Sequence, residues 1–288
     1  MVNPVHVIVD GGLDDAVALA VLVGLNVPLS QVIATEGSVG LATTALATQR
    51  LMVTLGSADP VRLGSDRGMI AAYPAGRDPF HGPDAFGGHA TSLAPANVPD
   101  QQAKDLGGTV FCAGALTYVA EAIQAGRPIA EVVWMGGAVA VGGNMTAAAE
   151  FNAWMDPNAA DHVFASGVSM KKIPLDVTER FEWSAGEIQA LRGAGRVGTL
   201  LADAIRYVQD RDGSFVPHDA VAAIAMTSPE LFRWIPRQVR CETKGEFTTG
   251  ETVVDRRPGG SPGRVLVAED VDIPEVSTRI LKAVASIA

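Results

Sequence analysis

The sequence is poor in cysteine, in positive charge and in long apolar runs, and each shortage argues against a class of protein. Only two cysteines occur, Cys112 and Cys241, far apart and without a CxxC spacing, so no disulfide framework or redox pair is expected. Set in the apolar stretches TVFCAG and QVRCETKG, they read as buried reduced thiols of a cytoplasmic protein. Acids outnumber bases by 32 to 22, a formal net charge of −10. Nucleic acid and anionic membranes demand a clustered positive surface, so neither is expected as a partner. A neutral or cationic small molecule suits the chain better. No apolar run approaches the roughly 20 residues of a membrane span, because Gly, Pro or charge interrupts each one. The opening MVNPVHVIVDGG lacks a basic start before an apolar core and reads as a strand, so secretion is not expected.

The 288 residues are 48% hydrophobic, enough for one large core. Short β-branched runs recur, each followed by a turn signal and then an Ala- and Leu-rich stretch, the alternation of a mainly parallel sheet flanked by helices. Strands are expected at Val5–Val9, Gln31–Ala34, Thr109–Cys112, Val132–Met135 and Lys172–Leu175. Most are apolar throughout, as strands covered on both faces should be. Helices are expected near Asp15–Leu25, Leu41–Leu55, Leu116–Ala125, Pro157–Ala165, Ala185–Leu191 and Ala220–Met226. Asp156-Pro157 has the chemistry of a helix start, Gly167 that of its end, and Ser184 with Glu187 forms a capping box. Residues 76–108 are a long irregular insert, either a binding loop or a surface excursion. Residues 209–219 read as a polar loop, and 236–270 as peripheral β-hairpin material. With no repeat or linker, one α/β domain with a Rossmann-like sheet is expected.

Polar residues collect where the expected strands end. Asp10, the Glu36-Gly37-Ser38 turn, Gly114 to Thr117 and Gly136-Gly137 all follow strands, and so share the rim where open α/β sheets bind ligands. The densest group is VIVDGGLDDAVALAV, a strand, a glycine turn and two acids opening a helix. Asp10, Asp14 and Asp15 would repel one another beside a buried strand end, and desolvation would raise their pKa values. A hard divalent cation, calcium or magnesium, would relieve that repulsion, since the donors are all oxygen. Asp14 and Asp15 serve equally well as caps at the positive end of the helix, so this segment alone leaves both roles open.

Four segments in order carry a resemblance. VDGGLDDAVAL, GALTYVAEAI, MGGAVAVGGNMTAAAEFNAWMDPNAA and VPHDAVAAI resemble the signature segments of the inosine-uridine nucleoside hydrolase family, and FHGPDAFGG, LDVTER and TTGETVVD extend the likeness. The resemblance implies a nucleoside hydrolase fold and hydrolysis of ribonucleosides to ribose and free base. It implies Ca²⁺ held by Asp10, Asp15, the Thr117 carbonyl and Asp219, with Asp10 as the base that activates water. Asp14, Asn144, Glu150 and Asn152 match ribose-binding positions, His218 a leaving-group acid and His81 a histidine near the substrate. Carboxylates and amides suit sugar hydroxyls, and the spacing of Glu150 and Asn152 would put both on one face of an extended segment. Tyr207, Phe80 and Phe215 could line a base pocket or pack in the core. Family members are commonly dimers or tetramers, so a homo-oligomer is expected too.

The chain departs from the family pattern at Ile8, where an aspartate is usual, at Gly11, where proline is, and at Ser38 and Tyr118, where asparagines are. These departures keep a non-catalytic ribose or nucleoside binder as an alternative. A magnesium phosphohydrolase is a further alternative, although the aspartate pair separated by one residue that marks it does not occur at Asp10.

Overall fold

The computed structural model describes residues 4–64, 80–257 and 263–287. Among the described residues ten strands are present: β1 (Val5–Val9), β2 (Leu29–Ala34), β3 (Val61–Leu63), β4 (Gly108–Cys112), β5 (Ile129–Met135), β6 (Ser169–Ile173), β7 (Phe232–Arg237), β8 (Val239–Cys241), β9 (Thr252–Val254) and β10 (Val265–Val271). The helices are α1 (Leu13–Gly24), α2 (Leu41–Thr54), α3 (Thr117–Gln124), α4 (Phe151–Met155), α5 (Pro157–Ser166), α6 (Leu175–Thr178), α7 (Ala185–Arg192), α8 (Gly195–Asp212), α9 (His218–Thr227) and α10 (Ile273–Ala285).

Eight strands form one sheet in the order β3-β2-β1-β4-β5-β6-β10-β7, parallel except for β7, which runs antiparallel to β10 at the edge. The chain winds outward from β1 through β2 to β3, then returns to place β4 on the other side of β1. That reversal is the crevice-forming switch point of open α/β sheets. On one face α1, α2, α8, α9 and α10 bury the larger apolar core. On the other, α3 and α5, joined by the β8–β9 pair, cover Ile8, Cys112, Trp134 and Val267. Helix α1 is buried from Leu13 to Leu22, wedged against α9 and α10, which explains why its sequence is apolar almost all round. No described helix is long and apolar enough to cross a membrane.

The structure moves several sequence expectations. Strand β6 stops at Ile173 rather than Leu175 because Pro174 has no amide to continue the ladder and instead caps α6. The 209–219 loop is shorter than expected, since α8 continues to Asp212 and ends at Gly213 with φ +85°. Only β8 and β9 behave as the peripheral hairpin. Strand β10, in the same stretch, lies inside the sheet between β6 and β7. Of the 76–108 insert, residues 76–79 lie outside the described residues, as do 258–262 of the RRPGGSPGR turn. The remainder of the insert is anchored: the Asp84 carboxylate accepts from the amides of Phe86, Gly88 and Ala90 at 3.0, 2.8 and 2.9 Å, and Phe86 and Leu93 enter the core.

Candidate active site

A cavity of about 270 Å³ opens over the switch point, lined by Asp10, Asp14, Ala113, Glu150, Asn152, His218 and Asp219 among others. Asp10 leaves the end of β1, and α1 begins three residues on. The turn between them holds Gly11 at φ +89°, a conformation closed to proline. A Cβ on Gly11 would also lie 2.7 Å from Thr44 Oγ1, the hydroxyl that donates to the Asp10 carbonyl at 3.3 Å. Asp15, in the first turn of α1, reaches back so that its Oδ2 accepts from the Gly12 amide at 2.7 Å and the Asp10 amide at 3.3 Å. Helix α9 packs against α1 and opens with His218 and Asp219. Two positive helix ends therefore meet the acids.

The electrostatics of the group are unfavourable as it stands. Burial, and then the charges of Asp15 and Asp14, push the Asp10 carboxyl well above the usual range. Burial and the Asp14 charge lift Asp15 to about 7. Asp219 is raised well above its ordinary value by burial and then by Asp14, Asp15 and Asp10. One carboxylate oxygen on each of Asp15 and Asp219 is buried without a hydrogen-bond partner. Among the described residues no three His, Cys, Asp or Glu side chains stand ready around an ion. The acids instead crowd one another, each of Asp10 and Asp219 lying within reach of the charges of its neighbours. Orphaned oxygens, mutual repulsion and an all-oxygen donor set fit a hard divalent cation.

The expected sugar contacts converge on the same cavity. Glu150 caps α4 and is 2% exposed; its carboxylate accepts from the amides of Gly137 at 2.6 Å, Asn152 at 2.9 Å and Ala153 at 3.3 Å. Burial raises its pKa, while these amides and Lys172 oppose the rise. The segment is not extended as expected, because α4 starts at Phe151, yet Glu150 and Asn152 both line the cavity. The Asn152 amide donates to the carbonyls of Met135 at 3.1 Å and Ala113 at 3.4 Å, and its buried Oδ1 has no partner. Asn144 sits on the cavity wall with its Oδ1 accepting from the Phe151 amide at 2.9 Å.

Both candidate histidines are present. His81 Nε2 lies 3.5 Å from Asp14 Oδ1. His218 Nδ1 contacts Thr178 Oγ1 at 2.7 Å, and burial lowers the pKa of both rings. The Thr178 hydroxyl, which also reaches the Pro174 carbonyl at 3.5 Å, thus engages the Nδ1 side of the ring and leaves Nε2 for other partners. Thr178 lies in the LDVTER segment but was not singled out by sequence, since a threonine gives no signal until its partner is known. Phe80 and Phe215 line the cavity and Tyr207 does not. Arg211, absent from the sequence expectations, also lines it and stacks over the Tyr207 ring at 5.7 Å.

Thr117 is not brought to this group. It opens α3, so its carbonyl points along that helix, and its hydroxyl donates to Asp156 at 2.8 Å, beside a separate hollow. Ala113, directly after β4, lines the acidic cavity, and its carbonyl accepts from the Asn152 amide at 3.4 Å. The turn from Ala113 to Leu116 separates the two, since β4 ends at Cys112 and α3 begins at Thr117.

The chain is similar to known proteins along most of its length. The family model described as inosine-uridine preferring nucleoside hydrolase matches residues 5–278. A pyrimidine-specific ribonucleoside hydrolase, RihA of Salmonella enteritidis PT4, is 34% identical over 281 residues, covering 88% of this chain and 89% of that protein. In fold, the chain matches a purine-preferring ribonucleoside hydrolase from Gardnerella vaginalis with a TM-score of 0.85 at 24% identity, over 99% of both chains. It also matches a plant nucleoside hydrolase with a TM-score of 0.88 at 23% identity, again over 99% of both.

Proposed function

Since this chain belongs to the inosine-uridine preferring nucleoside hydrolase family, we propose that it hydrolyses the N-glycosidic bond of ribonucleosides, releasing ribose and the free base. The observation that carries the reading is the meeting of Asp10, Asp14 and Asp219 with Glu150, Asn152 and His218 in one cavity. Asp10, Asp15, Asp219 and the Ala113 carbonyl would hold a divalent cation, which we read as calcium; once bound, it neutralises the acids and polarises water.

The chain's own residues account for the remaining chemistry. Asp10 accepts a proton from the attacking water as its oxygen bonds to the anomeric carbon. The bond from that carbon to the base nitrogen breaks, and its electron pair stays with the base. The imidazolium form of His218 donates from Nε2 the proton that makes the departing base neutral, leaving the neutral ring that burial favours. Asp14, Asn144, Glu150 and Asn152 hold the sugar hydroxyls, and nearby carboxylates favour the positive charge that develops on the ribose ring. Phe80 and Phe215 offer faces for the base.

Release of ribose from a panel of purine and pyrimidine ribosides, with chelator and with added calcium, tests the reading. Turnover of at least one riboside, abolished by chelation and restored by calcium, is expected. Silence across the panel in calcium would overturn it, and ribose binding without turnover would identify a binder instead.

A further inference from the structure

Lys172 is a charge the proposed mechanism has not used. It sits on β6 between Trp134 of β5 and Val267 of β10, and is 0% exposed. Its Nζ has no hydrogen-bond partner among the described residues and lies 6.0 Å from the Trp134 ring centroid. Burial lowers its pKa to about 8, against the pull of Asp176 and Glu150. An apolar side chain of the same length would fill this space without desolvating a charge, so packing gives no reason for an ammonium here.

The reason lies in what surrounds the 137–140 loop. Gly137 adopts φ +67°, and a Cβ there would stand 3.0 Å from Lys172 Cε. The lysine stem is thus pressed against the backbone whose amide donates to Glu150 at 2.6 Å. Two residues on, the amides of Val139 and Ala140 donate to the Asp176 carboxylate at 2.8 and 2.7 Å. The loop is held by two carboxylates, and the charge of the ammonium acts on both. Glu150 faces the cavity and Lys172 does not, so the positive charge lies behind the acid, away from the sugar. Across the cavity Glu150 meets the negative charge of Asp10. Without a counter-charge that surrounding favours a protonated Glu150, which accepts fewer hydrogen bonds.

We propose that Lys172 is a positioning residue of the sugar site: its buried ammonium holds Glu150 as a carboxylate, and fixes the 137–140 loop, for acceptance of hydrogen bonds from ribose hydroxyls. The inference rests on the nucleoside hydrolase reading. The titratable groups facing the ammonium are Glu150 before α4, Asp176 on α6 and Cys241 on β8.

The test compares wild type, Lys172→Met, Glu150→Gln and the double variant in saturating calcium, by ribose release across nucleoside concentration and pH and by thermal melting. Lys172→Met should melt at or above the wild-type midpoint. Its KM should rise about tenfold with a smaller change in kcat, the loss expected when a charge-assisted hydrogen bond becomes a neutral one. The acidic limb of kcat/KM should move to higher pH, because removing a cation makes Glu150 easier to protonate. In the Glu150→Gln background the lysine substitution should add almost nothing. Unchanged KM and pH limb, or an equal effect in both backgrounds, overturns the proposal. A lower midpoint with a proportional loss of active protein indicates a purely structural lysine, and Lys172→Gln is then read for the same shift in KM. If wild type cleaves no riboside, the functional reading fails by itself. Calorimetric ribose affinity of wild type and Lys172→Met then decides the lysine's role, equal affinities overturning it.

Discussion

Stripping divalent cations from the protein and raising the pH should destabilise it, and calcium should reverse the loss. Asp15 has a pKa raised from 3.8 to about 7 because burial, and then the Asp14 charge, disfavours its carboxylate. A carboxyl with a folded pKa above its unfolded one stabilises the fold fully below the unfolded value, and that contribution disappears as the pH rises through the folded value. Each pH unit in between removes about 1.4 kcal/mol, so from about pH 5 to about pH 7 this group alone withdraws close to 3 kcal/mol. Asp10 and Asp219 are displaced in the same direction and add to the decline. A cation that binds only the folded state, at about 100 times its dissociation constant, restores about 2.7 kcal/mol. With roughly 2 °C per kcal/mol for a chain of this size, the chelated protein should melt roughly 5 °C lower at the higher pH, and calcium should recover most of that. Thermal melts in chelator and in calcium across this range measure both effects, and Asp15→Asn should flatten the chelated profile. A midpoint that ignores pH in chelator, or that calcium leaves unmoved, would refute the cation-binding argument.

Asp10→Asn should lower ribose release by about 10²- to 10⁴-fold, the usual worth of a general base, while the chelated protein melts no lower than wild type. His218→Ala should slow nucleosides by a similar factor but spare a 4-nitrophenyl riboside, whose leaving group needs no proton; equal losses on both would remove His218 as the acid. Thr178→Val removes the partner of His218 Nδ1 at 2.7 Å, and should lower kcat about tenfold with little change in KM, as expected for a group that orients a catalytic histidine. Ile8→Asp would bury a carboxyl among Ile33, Cys112 and Trp134, and should cost about 3 kcal/mol in denaturant unfolding.

Local signals in the sequence were enough wherever a residue's role is fixed by its chain neighbours. Strand β1 has the expected limits, Val5–Val9, because a β-branched run interrupted only by His6 ends at an aspartate and a glycine turn. Asp156, Gly167 and the Ser184–Glu187 box cap their helices as their chemistry requires. Where tertiary contacts decide, the sequence was silent or misleading. Helix α8 places Val197, Leu201, Ile205 and Val208 on the core, but arginines and aspartates dilute the stripe, so no helix was expected there. Strand β10 carries Glu269 and Asp270 near its end, which suits its pairing with the edge strand β7 but reads as a surface hairpin. The rim acids were found because they follow strands. Lys172 was passed over because a lysine in a strand normally points to water, and only the packed structure shows it buried.

The departures from the family pattern are understood in the same way. Ile8 faces the apolar cluster that Trp134 fills, and the Trp134 indole donates to the Gly114 carbonyl at 3.0 Å, bracing the β4 end that carries Ala113. Tyr118 points away from the cavity, and its hydroxyl donates to the Ala103 carbonyl at 3.3 Å and the Lys104 carbonyl at 3.4 Å, tying α3 to the segment before β4. Gly11 replaces a fixed backbone angle with one that proline cannot reach. Ser38 still lines the cavity, with a shorter side chain than asparagine. Three of the four changes therefore lie in the supporting structure behind the cavity wall, and each has its own apolar, aromatic or glycine solution here. None removes a carboxylate from the cavity. A chain relieved of catalysis would be free to lose the repulsion among Asp10, Asp15 and Asp219, since any one of them replaced by an amide would stabilise the empty fold at neutral pH. Their joint retention beside His218 is a standing destabilisation that a ligand of opposite charge, and a reaction that needs it, would account for.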